Sequence, residues 1–156
     1  MGYDIHITRR RVWLDDANDI TLEEWKAYVA SDPDMRLDGF WEDSYDGGVI
    51  LRFEDESFAV WTSHPDAKSP DDLVRFRLGA GNIVVKNSDQ AIRIKMAAIA
   101  RALGARVQGD EFELYGDDGQ QNGVDLPEYD SEPEAADGAK PGVPAPGGRR
   151  WWEFWK

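Results

Sequence analysis

An α+β fold, with a mainly antiparallel sheet and two helices packed on one face, is predicted by two kinds of pattern in this 156-residue chain. Several short segments are rich in β-branched and aromatic residues or alternate apolar with polar residues, which is typical of strands. Two longer segments repeat apolar residues every three or four positions behind helix-start signals, which is typical of amphipathic helices. Their order along the chain predicts β-α-β-β-β-β-α-β-β.

The first strand and the first helix have the clearest local signals. Residues 3–9 alternate between apolar and polar, which predicts a half-buried strand. Thr21 and Glu24 have the spacing of a capping box, which predicts a helix start. The helix must end before Pro33, because proline lacks an N–H and restricts the residue before it.

The middle of the chain is predicted to be largely strand. Residues 39–44 mix aromatics, acids and glycine without a clear period, and we expect a loop there. Segments 48–53 and 57–62 are predicted to form an antiparallel hairpin around a turn at 55–56. Another alternating strand follows at 73–78.

The stretch 82–115 is predicted to form the centre of the fold. A β-branched strand at 82–87 is followed by Ser88, which we expect to cap a helix that ends at Gly104. Two short strands should follow, at 105–108 and 111–115. The helix positions that should face the sheet are Ile92, Met96, Ile99 and Leu103.

Composition divides the chain into three parts. The α+β domain is predicted to cover residues 1–116. Residues 117–148 are acidic and then rich in Gly, Pro and Ala, so they cannot bury enough apolar surface to offset their conformational entropy and are predicted to form a flexible linker. Residues 149–156 form a tryptophan-rich C-terminal patch.

Charge and cysteine content restrict the function classes. The net charge is −13, which repels nucleic acid and attracts basic protein surfaces. The chain has no cysteine, which excludes disulfides, thiolate zinc sites and a cysteine nucleophile. The chain start lacks a basic region followed by an apolar segment, and no apolar run approaches membrane-spanning length. We therefore expect a cytoplasmic protein.

The sequence predicts no catalytic residue, no metal site and no cofactor. His6 lies among the polar positions of the first strand and only His64 could join it in a site, so we expect His6 to be a structural or surface residue. The acids at 54–56 are consecutive and point in different directions, which favours a solvated turn. The glycines at 79–81 lack the spacing of a phosphate-binding loop.

Three interpretations of the C-terminal patch stay open. It can fold back into a groove of its own domain, because exposed aromatics at this density are costly in a free chain. It can anchor a protein partner, where Trp and Arg are frequent hot-spot residues. It can also contact a membrane surface, helped by Arg149, Arg150 and Lys156.

The chain resembles a family of small uncharacterised bacterial proteins that begin MSYDLHITR. The resemblance is carried by residues 1–9, by the helix start at 20–25, by Lys95-Met96 and Ile99-Ala100, and by residues 103–110. It spans roughly residues 1–116 and implies a bacterial origin and a single domain. The family has no established activity to transfer, so the resemblance implies nothing about a reaction.

The leading functional hypothesis is a non-enzymatic, acidic protein-binding module. Its most concrete form is an immunity-type protein that blocks a bacterial toxin by covering the toxin's basic substrate cleft. The last helix presents a second apolar face at Ile94, which adds a candidate contact surface. The residues predicted to contact the partner are Trp41, Trp61, Ile94, Arg101, Trp151, Trp152, Phe154 and Trp155.

Two other function classes remain open at the level of sequence. A small metal-dependent hydrolase could be built from Asp and Glu, because carboxylate sites leave weak sequence signatures. A regulatory protein could instead be tethered through its C-terminal patch. The sequence does not predict an oligomeric state.

Overall fold

The computed structural model describes residues 3–69 and 73–127, which form an α+β fold with a large antiparallel sheet. This confirms the predicted fold class. The helices are α1 (Leu22–Ser31) and α2 (Gln90–Leu103). The strands are β1 (Asp4–Thr8), β2 (Met35–Leu37), β3 (Phe40–Tyr45), β4 (Val49–Glu54), β5 (Ala59–Trp61), β6 (Val74–Gly79), β7 (Asn82–Lys86), β8 (Arg106–Gly109), β9 (Glu113–Tyr115) and β10 (Gln121–Val124).

Eight of these strands form one sheet in the order β10-β9-β8-β1-β7-β6-β5-β2. All the pairings are antiparallel, and β1 lies between β7 and β8. Ile7 of β1 is opposite both Ile83 and Val107, so these three side chains share one face of the sheet. Strands β3 and β4 pair only with each other and form a separate hairpin.

Both helices pack on the sheet face that carries Ile7. The predicted stripe of α2 is confirmed, because Ile92, Met96 and Ile99 are buried and Leu103 packs against the same core. Trp25 of α1 is fully buried in this core, and its Nε1 donates a hydrogen bond to the Ser57 carbonyl at 2.8 Å. The tryptophan therefore joins α1 to the chain that leads into β5.

Helix α1 begins and ends as its sequence signals predict. The Thr21 hydroxyl accepts a hydrogen bond from the Glu24 amide, and the Glu24 carboxylate accepts one from the Thr21 amide. These reciprocal bonds satisfy two backbone donors that the first helical turn would otherwise leave without a partner. The helix ends at Ser31, and its C-cap, Asp32, directly precedes Pro33.

The N-cap of α2 is Asp89, so the prediction of Ser88 was wrong by one residue. Asp89 itself has extended backbone angles, with a φ of −107° and a ψ of −175°, so the first helical residue is Gln90. The Asp89 Oδ1 atom accepts a hydrogen bond from the Ile92 amide at 2.8 Å. At the other end Gly104 has a φ of 66°, which confirms the predicted glycine stop.

The predicted hairpin between segments 48–53 and 57–62 was also wrong. Strand β4 pairs with β3, which forms where we expected a loop, and β5 pairs with β2 and β6 of the large sheet. The Asp55 carboxylate accepts hydrogen bonds from the Ser57 amide and hydroxyl, which closes a turn between β4 and β5. This turn separates the two segments and directs β5 into the sheet.

Strand β1 was predicted to be half-buried, but four of its five residues are buried, on both sides. The second face of the sheet is covered by the segment 10–19, in which the Trp13 ring stacks on the His6 ring at 4.0 Å between centroids. His6 is 4% exposed as a result. An alternating pattern therefore did not indicate a solvated face, because a later segment of the chain covers it.

The folded domain extends past the predicted boundary at residue 116. Residues 117–120 form a turn, and β10 then pairs with β9 at the edge of the sheet. The remainder of the predicted linker, 128–148, and the C-terminal patch, 149–156, lie outside the described residues. Neither helix in the described ranges is long and apolar enough to cross a membrane.

Candidate protein-binding hairpin

The β3–β4 hairpin carries the largest group of exposed apolar side chains in the described part of the chain. All six residues of β4 are exposed, although half of them are aliphatic. The exposed fractions are 51% for Tyr45, 51% for Val49, 61% for Ile50, 44% for Leu51 and 48% for Phe53. Soluble domains rarely leave apolar side chains grouped in this way unless the group binds something.

The two strands of this hairpin are joined by a glycine turn, and their residues pair one to one without a bulge. Gly47 and Gly48 have φ values of 84° and 80°, which side chains other than glycine rarely adopt. Opposite residues of an antiparallel pair lie on the same face. One face therefore carries the pairs Trp41–Phe53, Asp43–Leu51 and Tyr45–Val49, and the other carries Phe40–Glu54, Glu42–Arg52 and Ser44–Ile50.

The hairpin is joined to the large sheet through Arg75 of β6. The Arg75 guanidinium carbon lies 3.2 Å from the centroid of the Trp41 ring, and Nη2 donates a hydrogen bond to the Asp43 carboxylate at 3.0 Å. Trp41 Nε1 donates to the same carboxylate at 2.7 Å. This hydrogen bond, together with Arg75, holds the pKa of Asp43 below its ordinary value, so the carboxylate stays charged.

The second face of the hairpin is polar and acidic. Arg52 bonds to the carboxylates of Glu42 and Glu54 at 2.9 Å and 2.8 Å, and its guanidinium lies 4.0 Å from the centre of the Phe40 ring. Four acids and one arginine lie between residues 40 and 54, which gives this segment a net charge of −3. The hairpin thus combines apolar side chains with negative charge.

The outer edges of the hairpin are open along the described chain. Strand β3 pairs with β4, and neither strand pairs with any other described strand. Each outer edge therefore presents backbone N–H and C=O groups that can bond to an added strand. Long exposed edges are unusual in monomeric proteins because they promote association.

The structure distributes the predicted partner-binding residues over several places. Trp41 lies at the base of the hairpin, in contact with Arg75. Trp61 is only 7% exposed, because it belongs to the core and packs against His64, so it offers little surface for a partner. Trp151, Trp152, Phe154 and Trp155 lie outside the described residues.

Ile94 and Arg101 lie on the outer face of α2, where Ile94 is 44% exposed. The turn at 116–120 covers part of this face, because Gln90 donates to the Asp118 carbonyl and Arg93 donates to the Gly119 carbonyl. The sequence predicted a contact surface on this face and did not identify the turn. The surface left at Ile94 is smaller than the hairpin surface.

The exposed residues of β4 and Tyr45 were not among the predicted contacts. Segment 48–53 was predicted instead to pair with segment 57–62. The Gly47-Gly48 turn was the signal that could have identified β3 as its partner, because paired glycines are a strong hairpin signal.

A cluster of His64, Asp66 and Asp89 has the composition of a metal site, with one potential ligand atom of each residue within 4.8 Å of the others. The hydrogen bonds do not fit a metal, however. His64 Nδ1 accepts the Asp66 amide at 2.9 Å, so the ring hydrogen is on Nε2, which lies 2.8 Å from Asp89 Oδ2. Neither ring nitrogen has a free lone pair, and the cluster instead connects the loop after β5 to the start of α2.

Comparisons with protein-family models, with curated proteins and with solved structures gave no match to this chain. The family resemblance found in the sequence therefore stays a prediction.

Proposed function

We propose that this protein is a protein-binding module whose β3–β4 hairpin contacts a basic protein partner. The observation that carries the proposal is the exposed strand β4, whose outer edge pairs with no other described strand and whose apolar side chains are grouped. An edge strand can accept a strand from a partner, with backbone bonds giving affinity and alternate side chains giving specificity. Apolar and aromatic side chains at the centre of such a contact supply most of its binding energy.

Charge supports a basic partner. The hairpin segment has a net charge of −3 and the whole chain −13, so its field attracts a positively charged surface and accelerates the encounter. The same field disfavours nucleic acid. The acids lie beside the apolar residues, so a partner would meet both in the same contact.

The most concrete form of this proposal is an immunity-type protein that inhibits a toxin enzyme. An acidic hairpin that enters a basic substrate cleft would exclude the substrate and would itself need no catalytic group. The small size and the strong negative charge of the chain support this form. In the described residues, the side chains that resemble a metal site are held in structural hydrogen bonds.

A photo-crosslinking residue placed at Ile50 tests the proposal. Ile50 is 61% exposed and lies on the polar face of β4, so the replacement should not disturb the domain core. In cells of the source organism, we expect one discrete adduct with a protein of basic isoelectric point, identified by mass spectrometry. Its yield should fall as salt is raised, because screening weakens the attraction.

The matched control places the same crosslinker at Val124 of β10, which is 53% exposed but far along the sheet order from the hairpin side. This position should give no adduct with the same protein. An equal adduct at both positions, an adduct with a second copy of this chain alone, or no adduct at Ile50 would contradict the proposal.

A further inference from the structure

Strand β4 of the hairpin has an outer edge to which no described backbone group is bonded. All six of its residues are exposed, and their side chains point alternately to the two faces of the hairpin. One face carries an apolar row and the other a row with a cation at its centre: Val49, Leu51 and Phe53, and Ile50, Arg52 and Glu54. A strand added at this edge would therefore meet a different chemistry on each face.

Two negative charges of the hairpin are left without a described counterion. Arg52 is shared by Glu42 and Glu54, so this group carries one excess negative charge. Asp46, in the turn before β4, forms no ion pair with a described residue. The fourth acid of the hairpin is paired with Arg75 of β6. The surface therefore favours an occupant that brings about two positive charges, and a second hairpin with the same negative charge is disfavoured.

The C-terminal patch, residues 149–156, has the charge and the composition that this edge favours. Three basic residues and one acid give it a net charge of +2. Four of its eight residues are tryptophan or phenylalanine, which are favoured in strands. Aromatic side chains grouped in this way are costly to expose, and so are the grouped apolar side chains of the hairpin. Contact between the two would remove both groups from water.

The order of residues in the patch matches the alternation of β4. In an extended strand, Trp152 and Phe154 would point to one side and Glu153, between them, to the other. With Glu153 placed opposite Arg52, the two aromatic residues stand opposite the two apolar residues that flank Arg52 in β4. This holds for a parallel and for an antiparallel strand, because the flanking positions only exchange places. Opposite charges and apolar side chains are thus paired in one register.

The chain between the described domain and the patch is long enough to reach β4. The sheet order places five strand spacings, about 24 Å, between β10 and β6, the strand that contacts the hairpin. Residues 128–148 have the composition predicted for a flexible linker, and a flexible chain of 21 residues has an r.m.s. end-to-end distance of about 25 Å. The two lengths match, which is the condition for a high effective concentration of the patch at the hairpin.

We propose that residues 149–156 bind the outer edge of β4 as an added strand of the same chain, with Glu153 beside Arg52 and with Trp152 and Phe154 on the apolar face of β4. This contact rests on the proposed function, because it assigns the chemistry of the occupant of the same surface. The occupant is an extended segment in which aromatic and basic residues flank a single acid. A protein partner must present similar chemistry and bind more tightly than the patch, and its complex then protects β4 further.

A weak contact is sufficient when both segments belong to one chain. A linker of matching length gives an effective concentration of about 1 mM, so a contact with a dissociation constant of about 0.1 mM between separate molecules is about nine-tenths formed within the chain. Hydrogen exchange of the β4 amides on the outer edge should then be slowed about tenfold, because exchange proceeds only from the undocked fraction.

Hydrogen exchange of the full chain, compared with the same chain carrying Trp152→Ser and Phe154→Ser, tests this contact. We expect the outer-edge amides of β4 to exchange about tenfold faster in the variant. The variant changes no described residue, so the folded domain stays intact. The difference should be the same after about a hundredfold dilution, because the contact forms within one chain.

Two further variants test the alternation of the added strand. The matched control, Trp151→Ser with Trp155→Ser, removes two aromatic residues from the other side of the strand and should accelerate β4 exchange less than the first variant does. Glu153→Lys makes the patch more basic but places a cation beside Arg52, so it should accelerate β4 exchange. Attraction by net charge alone would have the opposite effect.

Several results would overturn the contact. These are unchanged β4 exchange in the first variant, faster exchange at β10 or β2 instead of β4, and a difference that disappears on dilution. Equal effects of the two serine variants, or slower β4 exchange in Glu153→Lys, would overturn it as well.

Crosslinking at Ile50 separates this contact from the proposed function. Removing the competing patch with Trp152→Ser and Phe154→Ser should raise the yield of the adduct with the basic partner. An unchanged yield together with unchanged β4 exchange would remove the patch as an occupant and leave the partner contact in place. Protection of β4 by the patch without a partner adduct in either protein would instead contradict the proposed function alone.

Discussion

Replacing Trp25 with alanine should lower the free energy of unfolding by about 3–5 kcal/mol, the range for deleting a large aromatic side chain from a core. Trp25 is fully buried, packs against Phe76 with 6.2 Å between ring centroids, and bonds through Nε1 to the Ser57 carbonyl. Its removal leaves a cavity under α1 and a buried carbonyl without its donor. Urea denaturation followed by far-ultraviolet circular dichroism measures the change.

The variant Trp25→Phe is the control for this prediction. It cannot donate to the Ser57 carbonyl, but it keeps most of the aromatic volume. It should therefore lower the free energy of unfolding by less than the alanine variant does. If Trp25→Ala lowered the free energy of unfolding by less than about 1 kcal/mol, α1 would not be docked by this tryptophan. The packing described for α1 would then be incorrect.

Replacing Lys95 with methionine should lower the free energy of unfolding by a similar amount, about 3–5 kcal/mol, because it removes one partner of a buried ion pair. Lys95 Nζ lies 2.6 Å from Asp32 Oδ2, and the two side chains are only 13% and 10% exposed. The pair connects the two helices, because Asp32 is the C-cap of α1 and Lys95 lies on α2. Methionine would leave the Asp32 charge buried with only the Tyr28 hydroxyl and the Asp34 amide as donors.

The matched control is Lys26→Met on α1. Lys26 forms an ion pair with Glu56 at 2.9 Å, but the two side chains are 40% and 72% exposed. Exposed ion pairs contribute at most about 1 kcal/mol, so the free energy of unfolding of this variant should be close to that of the wild type. If Lys95→Met proved as mild as Lys26→Met, the Lys95–Asp32 pair would not stabilise the helix layer.

The stabilisation that the Lys95–Asp32 pair contributes should depend on pH, and its direction follows from the pKa of Asp32. Burial raises the pKa of Asp32, but hydrogen bonds from Lys95 and Tyr28 outweigh it, and the pKa in the folded protein lies below its ordinary value. The pair therefore stabilises the fold fully above the unfolded pKa of about 3.9, and this contribution is lost as the pH falls below that value. In Lys95→Met the cation is gone while the burial remains, so the pKa of Asp32 should rise and this loss on the acid side should disappear.

Elements with local signals were predictable from the sequence, and elements defined by distant partners were not. The Thr21–Glu24 capping box and the Gly104 stop involve residues that are close in the chain, so the sequence contains the whole signal. The strand β4 has an apolar composition that suits either neighbouring segment, and its pairing with β3 follows from the Gly47-Gly48 turn, whereas the turn at Asp55 directs β5 into the large sheet. The predicted α2 cap was one residue early because Ser88 and Asp89 are both favoured N-cap residues, and composition does not choose between them.

The candidate sites were the least predictable part for the same reason. The exposure of Ile50 depends on β4 leaving the large sheet, which is a property of the whole topology. The burial of His6 depends on the Trp13 ring that stacks on it, and an alternating pattern does not relate these two residues. Trp61 is the opposite case. Its aromatic character led us to predict a partner contact at the surface, but the residue is buried in the core.

Hydrogen exchange of the full chain, alone and with the partner identified by crosslinking, tests the hairpin directly. If β3 and β4 form the contact, their backbone amides should exchange markedly more slowly in the complex, because an added strand and exclusion of water protect an open edge. The amides of α2 should be unchanged. Protection confined to α2 or to β10, with β3 and β4 exchanging as they do in the free protein, would contradict the central claim.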